Sequence, residues 1–382
     1  MTAFHARLIQ GTKRRAAAGL RRELRSVPAD ALDLASNDYL GFARHPQIVQ
    51  AAIEATRKFG SGARASRLIS GNLDIHQQLE SALANFKQCE SALLFSSGYA
   101  ANLAVVNGLA QSGDAIFCDK RNHASLVDAC KLASGNGASV RYYSSLQKLR
   151  FLLESARGNG QFFVVSDAVY SMDGDLADVP ALLKICEEFD AVLLLDDAHG
   201  TGTLGANGRG AIEHFGLELS CNNRVIQIGT LSKALGAQGG FVAGAQIVID
   251  YLINGARPFV YSTALNPSAC GAALAALEIS RSQPQHLARL REVKKWLAHG
   301  LNEIDFAVRL NDSPILPVIV GEANAAVALS EELLKNGIWC PAIRPPTVRA
   351  GQSRLRVTAS AALLDEDVSR ALAAFARAKK YA

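Results

Sequence analysis

The chain has 382 residues, 49% hydrophobic and 20% charged, so it can bury a large conventional core and wholesale disorder is not expected. Its formal net charge is only +5, and no dense Lys/Arg block interleaved with aromatics follows the N-terminal segment, which argues against nucleic-acid binding. The seven cysteines include no Cys-x-x-Cys pair, and none of the eight histidines falls in a His-x-x-x-His pair. That pattern predicts a reducing, cytoplasmic setting without a disulfide framework or a metal site. The longest apolar runs, such as Ala191 to Leu195, are far shorter than the ~20 residues a membrane helix requires.

Residues 1–45 read as an N-terminal arm. The stretch through Arg25 is basic and acid-poor, and we read it as an amphipathic helix in preference to a transit peptide. No apolar signal region precedes a cleavage site, so secretion is not expected. The arm ends in Ser36-Asn37-Asp38-Tyr39-Leu40-Gly41. Residues 46–270 alternate short apolar runs with segments of helical period. The runs from Ala92 to Phe95, Ala115 to Cys118, Phe162 to Val165, Ala191 to Leu195 and Val225 to Ile228 read as buried strands. This is the pattern of a large α/β domain with a mainly parallel sheet. Residues 271–382 read as a smaller α+β domain. There a helical stretch from about Pro267 to Ile304 leads to a strand at Ile315 to Val320, a helix, and a strand at Leu355 to Thr358.

Ligands of such sheets gather beyond the carboxyl ends of the strands, so the polar residues there are the candidates for chemistry. The run Leu193-Leu194-Leu195-Asp196-Asp197-Ala198-His199-Gly200 puts two carboxylates and an imidazole at a strand end. A poorly solvated carboxylate persists as a charge only beside a cation, and a protonated pyridine nitrogen is one; helix capping or metal binding are the other readings. In Gly229-Thr230-Leu231-Ser232-Lys233 a lysine between strand end and glycines can lose its charge and form an imine, while the two hydroxyls could hold a phosphate. Phe95-Ser96-Ser97-Gly98-Tyr99-Ala100-Ala101-Asn102 reads as strand, turn and helix start, where free amides bind phosphate. Neither Gly-x-Gly-x-x-Gly nor a Walker lysine accompanies it, which disfavours a nicotinamide-dependent oxidoreductase. His123, after another strand, offers a flat imidazole for stacking or a helix cap.

Together these runs resemble the α-oxoamine synthases, a family of fold type I pyridoxal 5'-phosphate (PLP) enzymes. The matching motifs, in the family's order, are Ser36-Asn37-Asp38-Tyr39-Leu40-Gly41, Asn122-His123-Ala124-Ser125, Tyr170-Ser171-Met172-Asp173-Gly174-Asp175, Asp196-Asp197-Ala198-His199-Gly200-Thr201-Gly202 and Gly229-Thr230-Leu231-Ser232-Lys233. The resemblance implies an α/β, aspartate aminotransferase-like transferase working as a homodimer with sites at the interface. It implies that Lys233 carries the cofactor and moves the proton, that Asp196 pairs with the pyridine nitrogen, that His199 contacts the ring hydroxyl and that His123 stacks on the ring. Gly98, Tyr99 and Thr230 would hold the phosphate, with Ser262 or Thr263 of the other subunit; Ser171 would lie near the ring hydroxyl or substrate. Asn37 and Arg356 would grip the amino-acid carboxylate, a guanidinium fork suiting it in bidentate fashion. Ala342-Ile343-Arg344-Pro345-Pro346-Thr347-Val348 resembles the members that condense L-alanine with a pimeloyl thioester, on coenzyme A or an acyl carrier protein, and makes Arg344 a further substrate-binding candidate. Family members using glycine with acetyl-CoA, or serine or succinyl-CoA, are the alternatives. The chain departs from the family pattern at Ser144-Ser145-Leu146 and at Asp167-Ala168.

Overall fold

The computed structural model describes residues 1–17, 20–156, 160–217 and 224–381. Contacts divide the chain into two units: residues 37–290, and residues 1–36 with 291–382. Among the described residues no helix is long and apolar enough to cross a membrane.

The larger unit is built on seven strands: β1 (Ser91–Phe95), β2 (Ala115–Asp119), β3 (Ser139–Tyr143), β4 (Phe162–Asp167), β5 (Ala191–Asp196), β6 (Val225–Thr230) and β7 (Gly240–Gly244). They lie in the order β1-β7-β6-β5-β4-β2-β3. All pairs are parallel except the two made by β7, which runs against β1 and β6. The sheet is therefore mainly parallel, and β1 points the same way as β6. Residues of β2, β6 and β7 are buried throughout, as expected of strands covered on both faces. The five expected strands all form. β3 was not legible because it is an edge strand whose Ser139 and Tyr142 face solvent, leaving no apolar run. β7 was not legible because its five residues are bounded by glycines, which read as turns. Helices important to the site are α1 (Pro46–Phe59), α2 (Asp74–Lys87), α3 (Gly98–Leu109) and α4 (Ala124–Gly135).

The domain limits differ from the expected 1–45, 46–270 and 271–382. Helix α5 (Pro267–Ser282) belongs to the larger unit, because its buried face, including Ala269, Cys270, Ala273, Ala276 and Leu277, packs on α1 and α2. The expected single helical stretch is two helices; Pro284, with no N–H and a fixed φ, separates α5 from the helix Gln285–Glu303. The arm is also divided. Its Leu32–Asp33 strand pairs in parallel with β9 (Ile338–Trp339), and Thr358 N–H donates to Leu34 O at 2.8 Å, which ties the segment to the smaller unit. That unit carries an antiparallel sheet of β8 (Ile315–Gly321), β10 (Ala342–Ile343) and β11 (Ser353–Thr358), in the order β10-β11-β8. The opening residues form the helix Ala3–Ala17, none of it buried.

Candidate active site

In the larger unit, the ends of β6, β5, β4 and β2 stand side by side. Their strand-end loops carry, in that order, Lys233, Asp196 with His199, Asp167 with Ser171, and His123. Across β7, the end of β1 supplies Ser97, Gly98 and Tyr99. Parallel strand direction thus brings together five loops that are scattered over about 140 residues of sequence.

Asp196 is 8% exposed, and among the described residues its oxygens accept from two neutral donors, Asn102 Nδ2 at 2.7 Å and the Ala198 amide at 2.9 Å. The adjacent Asp197 is solved differently. It is fully buried and paired with Lys87 Nζ at 2.7 Å, so this carboxylate of the Asp-Asp pair is neutralised inside the fold. A buried carboxylate that accepts from neutral donors, as Asp196 does, is a fit for a cationic heterocycle. Asp167, at the end of the neighbouring strand, is fully buried. Desolvation first, and the charge of Asp196 second, push its carboxyl well above the usual carboxylate range, which favours a proton there.

His123 caps α4. Its amide donates to Asp167 Oδ2 at 2.9 Å, and its Nδ1 lies 2.7 Å from Ser125 Oγ. Asn122 fixes this turn between two strands: its Nδ2 donates to Val165 O at 2.9 Å, and its Oδ1 accepts the Asp167 amide at 2.8 Å. Burial lowers the His123 pKa, so the neutral ring is favoured and can lie flat on an aromatic ligand. His199 is almost buried, with Nδ1 2.6 Å from the hydroxyl of the fully buried Tyr39; that hydroxyl donates to Asn37 Oδ1 at 3.0 Å. Asp38 holds the same segment by accepting the amides of Phe42 and Ala43.

The start of α3 forms an anion cradle. Ser97 caps it by accepting the Ala100 amide at 3.1 Å, while the amides of Gly98 and Tyr99 donate to no protein acceptor among the described residues. A Cβ on Gly98 would lie 3.3 Å from Thr230 Cβ, so the cradle and the β6 hydroxyl are in contact. Thr230 Oγ1 lies 2.7 Å from Ser232 Oγ and donates to Gly239 O at 2.9 Å. Tyr99's own hydroxyl is engaged elsewhere, donating to Asp128 at 2.6 Å, so its contribution to the cradle is its amide. A phosphate, a protonated ring nitrogen and a flat ring would all find partners here; the residues present fit PLP.

The remaining candidates are Ser262, Thr263, Ser171, Arg356 and Arg344. Ser262 and Thr263 follow the short helix Arg257–Val260, where Thr263 pairs with Ser66, and no hydrogen bond among the described residues links them to Gly98, Tyr99 or Thr230. Ser171 sits half-buried in the tight turn closed by Gly174 N–H to Tyr170 O at 2.8 Å. In the smaller unit, Arg356 on β11 is 7% exposed and donates to Thr358 Oγ1 at 3.2 Å. Arg344 lines a cleft of about 490 Å³ with Arg21, Arg22, Arg25 and Trp339. Arg22 Nη2 closes on Thr347 Oγ1 at 2.8 Å.

Three residues that brace the site were given no role in the sequence reading. Tyr39 lies in the motif of residues 36–41, but its contact with His199 is 160 residues away, and Lys87 had no local signal because its partner Asp197 is 110 residues away. Asn102 did have one: it is a polar residue within the otherwise apolar Ala100–Val106 stretch of α3, 2% exposed in the structure. Buried amides of this kind require partners, and Asn102 has two.

Residues 29–375 match the family model for class I and II aminotransferases. An 8-amino-7-oxononanoate synthase from Geobacter sulfurreducens is 43% identical over 377 residues, covering 95% of each chain. Among solved structures, a serine palmitoyltransferase variant from S. paucimobilis with bound PLP and myriocin is 28% identical, with a TM-score of 0.89 over 98% of this chain and 96% of that one. The 8-amino-7-oxononanoate synthase of Francisella tularensis is 31% identical, with a TM-score of 0.76 over 92% and 98%.

Proposed function

Because this chain belongs to the class I and II aminotransferase family of fold type I PLP enzymes, we propose that it is an α-oxoamine synthase that condenses L-alanine with a pimeloyl thioester, releasing carbon dioxide and the carrier thiol, in biotin biosynthesis. The observation that carries the substrate assignment is the identity of 43% across 95% of the chain to a relative of that activity. Backbone overlap alone ranks the serine palmitoyltransferase higher, but overlap reports the fold and not the lining of a pocket. PLP supplies an electron sink that stabilises a carbanion at the amino-acid Cα and then the loss of carbon dioxide.

The chain's own residues do the rest. Lys233 would anchor the cofactor, and its amine would be the base that moves the proton at Cα. Asp196 keeps the ring nitrogen protonated from its buried position beside Asn102. His199, braced by Tyr39, orients the ring hydroxyl, and His123 covers the ring face. The Gly98 and Tyr99 amides and Thr230 receive the phosphate. Asn37 and Arg356 are assigned to the amino-acid carboxylate, Ser171 to the ring hydroxyl or substrate, and Arg344 to the substrate, on the resemblance of their motifs. The working unit on this reading is a cytoplasmic homodimer in which Ser262 or Thr263 serves the phosphate of the other subunit's site. The acyl carrier is coenzyme A or an acyl carrier protein.

The test is thiol release by the PLP-loaded protein with L-alanine plus pimeloyl-CoA, against glycine plus acetyl-CoA, with pimeloyl-acyl carrier protein as a third donor. Preference for a pimeloyl donor is expected; preference for glycine plus acetyl-CoA would move the enzyme to glycine acetyltransferase. The cradle gives a second expectation. A Cβ on Gly240 would stand 2.4 Å from Ser97 O and 2.5 Å from Gly98 N, contacts that only a shift of backbone can relieve. Gly240→Ala should therefore displace the start of α3 and raise the dissociation constant for PLP about tenfold or more, a change of roughly 1.4 kcal/mol. A PLP titration followed by absorbance measures it, and an unchanged constant would remove this helix start from the phosphate site.

A further inference from the structure

Four side chains of the larger unit form one hydrogen-bonded series. Asp196 Oδ2 accepts from Asn102 Nδ2 at 2.7 Å, and the same nitrogen donates to Ser125 Oγ at 2.8 Å. Ser125 Oγ in turn lies 2.7 Å from His123 Nδ1, which also faces the Ser125 amide at 3.3 Å. An ionised carboxylate can only accept, so it admits Asn102 only with the NH₂ group turned toward it. That orientation commits the second N–H of Asn102 to Ser125, and the Ser125 hydroxyl proton is then free to point at His123. The cost of the arrangement is visible at the far side of the amide, where Asn102 Oδ1 is buried with no partner. Asn102 is thus held for its two donors. His123 Nδ1, facing the hydroxyl and the amide of Ser125, is left no place for a proton, so a neutral ring must carry it on Nε2.

We propose that Asn102 and Ser125 are positioning residues that transmit the polarity of Asp196 to His123 and hold its imidazole in the tautomer protonated at Nε2. The groups facing this ring are Asp196 at the end of β5, Lys233 after β6, Asp128 on its own helix and the Asp167 carboxyl that receives its amide. Burial and the positive Lys233 oppose a second proton, while Asp196 and Asp128 favour one. The consequence rests on the reading that Asp196 and His123 flank the cofactor ring. His123 then presents a donor, not a lone pair, to whatever meets its free edge, and proton removal from substrate is left to Lys233.

The experiment is two-bond nitrogen–proton NMR of the PLP-loaded protein labelled with ring-¹⁵N histidine, the His123 signals being those lost in His123→Gln. The wild type should show a protonated Nε2 and an unprotonated Nδ1. Ser125→Ala should move both nitrogens toward averaged or doubly protonated values and raise the apparent pKa of the ring by about one unit, a tenfold change in its protonation equilibrium. Asn102→Leu should act in the same direction with Ser125 intact, and Ser125→Thr, which keeps the hydroxyl, should restore the wild-type spectrum. A proton on Nδ1 in the wild type overturns the proposal, even if no variant folds. So do spectra of Ser125→Ala and Asn102→Leu that match the wild type, as they would if both residues served packing alone. The readout does not depend on turnover, so the substrate assignment, decided by thiol release, can fail without it.

Discussion

Lys233→Ala is expected to lose turnover by at least about 10⁴-fold while remaining folded. Two losses combine in that figure. A positioned general base is worth typically ~10²–10⁴-fold by itself, and the same substitution removes the amine proposed to form the covalent link to the cofactor. Lys233 lies half-buried in the loop after β6, next in the sheet to the strand end that carries Asp196. The proposed phosphate partners, the Gly98 and Tyr99 amides and Thr230, are left in place, so the variant should still bind PLP, but reversibly. Borohydride treatment followed by intact-mass measurement separates the two cases: a cofactor adduct on the wild type and none on the variant. If the variant kept more than about a hundredth of wild-type turnover, the proton transfer would belong to another group.

The largest expected effect on stability comes from Lys87, which plays no part in the proposed chemistry. Its Nζ donates to Asp197 Oδ2 at 2.7 Å and to Arg209 O at 2.5 Å, and both members of the ion pair are essentially inaccessible. Asp197 also accepts the Ala211 amide, so the pair pins the loop that follows His199 to the end of α2. Lys87→Met leaves a carboxylate buried without its cation, which typically costs about 3–5 kcal/mol. Burial already pushes the Asp197 carboxyl upward while Lys87 pulls against it, so loss of Lys87 should raise it further. A carboxyl whose folded pKa lies above its unfolded value contributes most to stability below the unfolded pKa and loses that contribution as pH rises through the folded one. The deficit of Lys87→Met should therefore be smallest in acid and grow as pH rises through the raised value. Asp197→Asn added to Lys87→Met removes the charge and keeps an acceptor for Ala211, and should recover at least about half of the loss. Denaturant unfolding of the PLP-loaded protein at two pH values measures both statements. Equal deficits at the two values would show that the cost is lost packing and not an unpaired charge.

The contrast between Asp196 and Asp197 shows where the sequence was informative. Two carboxylates, an imidazole and glycines after an apolar run were enough to locate a strand end with chemistry. The order of the motifs was enough to identify the family and its cofactor. The motif resemblance pointed to Asp196 for the ring nitrogen, but the residues beside it gave no physical reason for Asp197 to be neutralised within the fold, because its cation, Lys87, is 110 residues away.

The sequence by itself determined the five buried strands, the identity of the strand-end loops and the residue types proposed to face a cofactor. These are all written in short runs, because apolar continuity and turn chemistry are local properties. Only the tertiary structure decided the reversed strand β7 and the edge strand β3, the return of residues 1–36 to the smaller unit, and the place of α5 in the larger one. It alone decided the partners of Tyr39, Lys87 and Asn102. Backbone pairing and burial are set by which surfaces meet, and a pairing between residues 32 and 338 leaves no trace in the residues beside either of them.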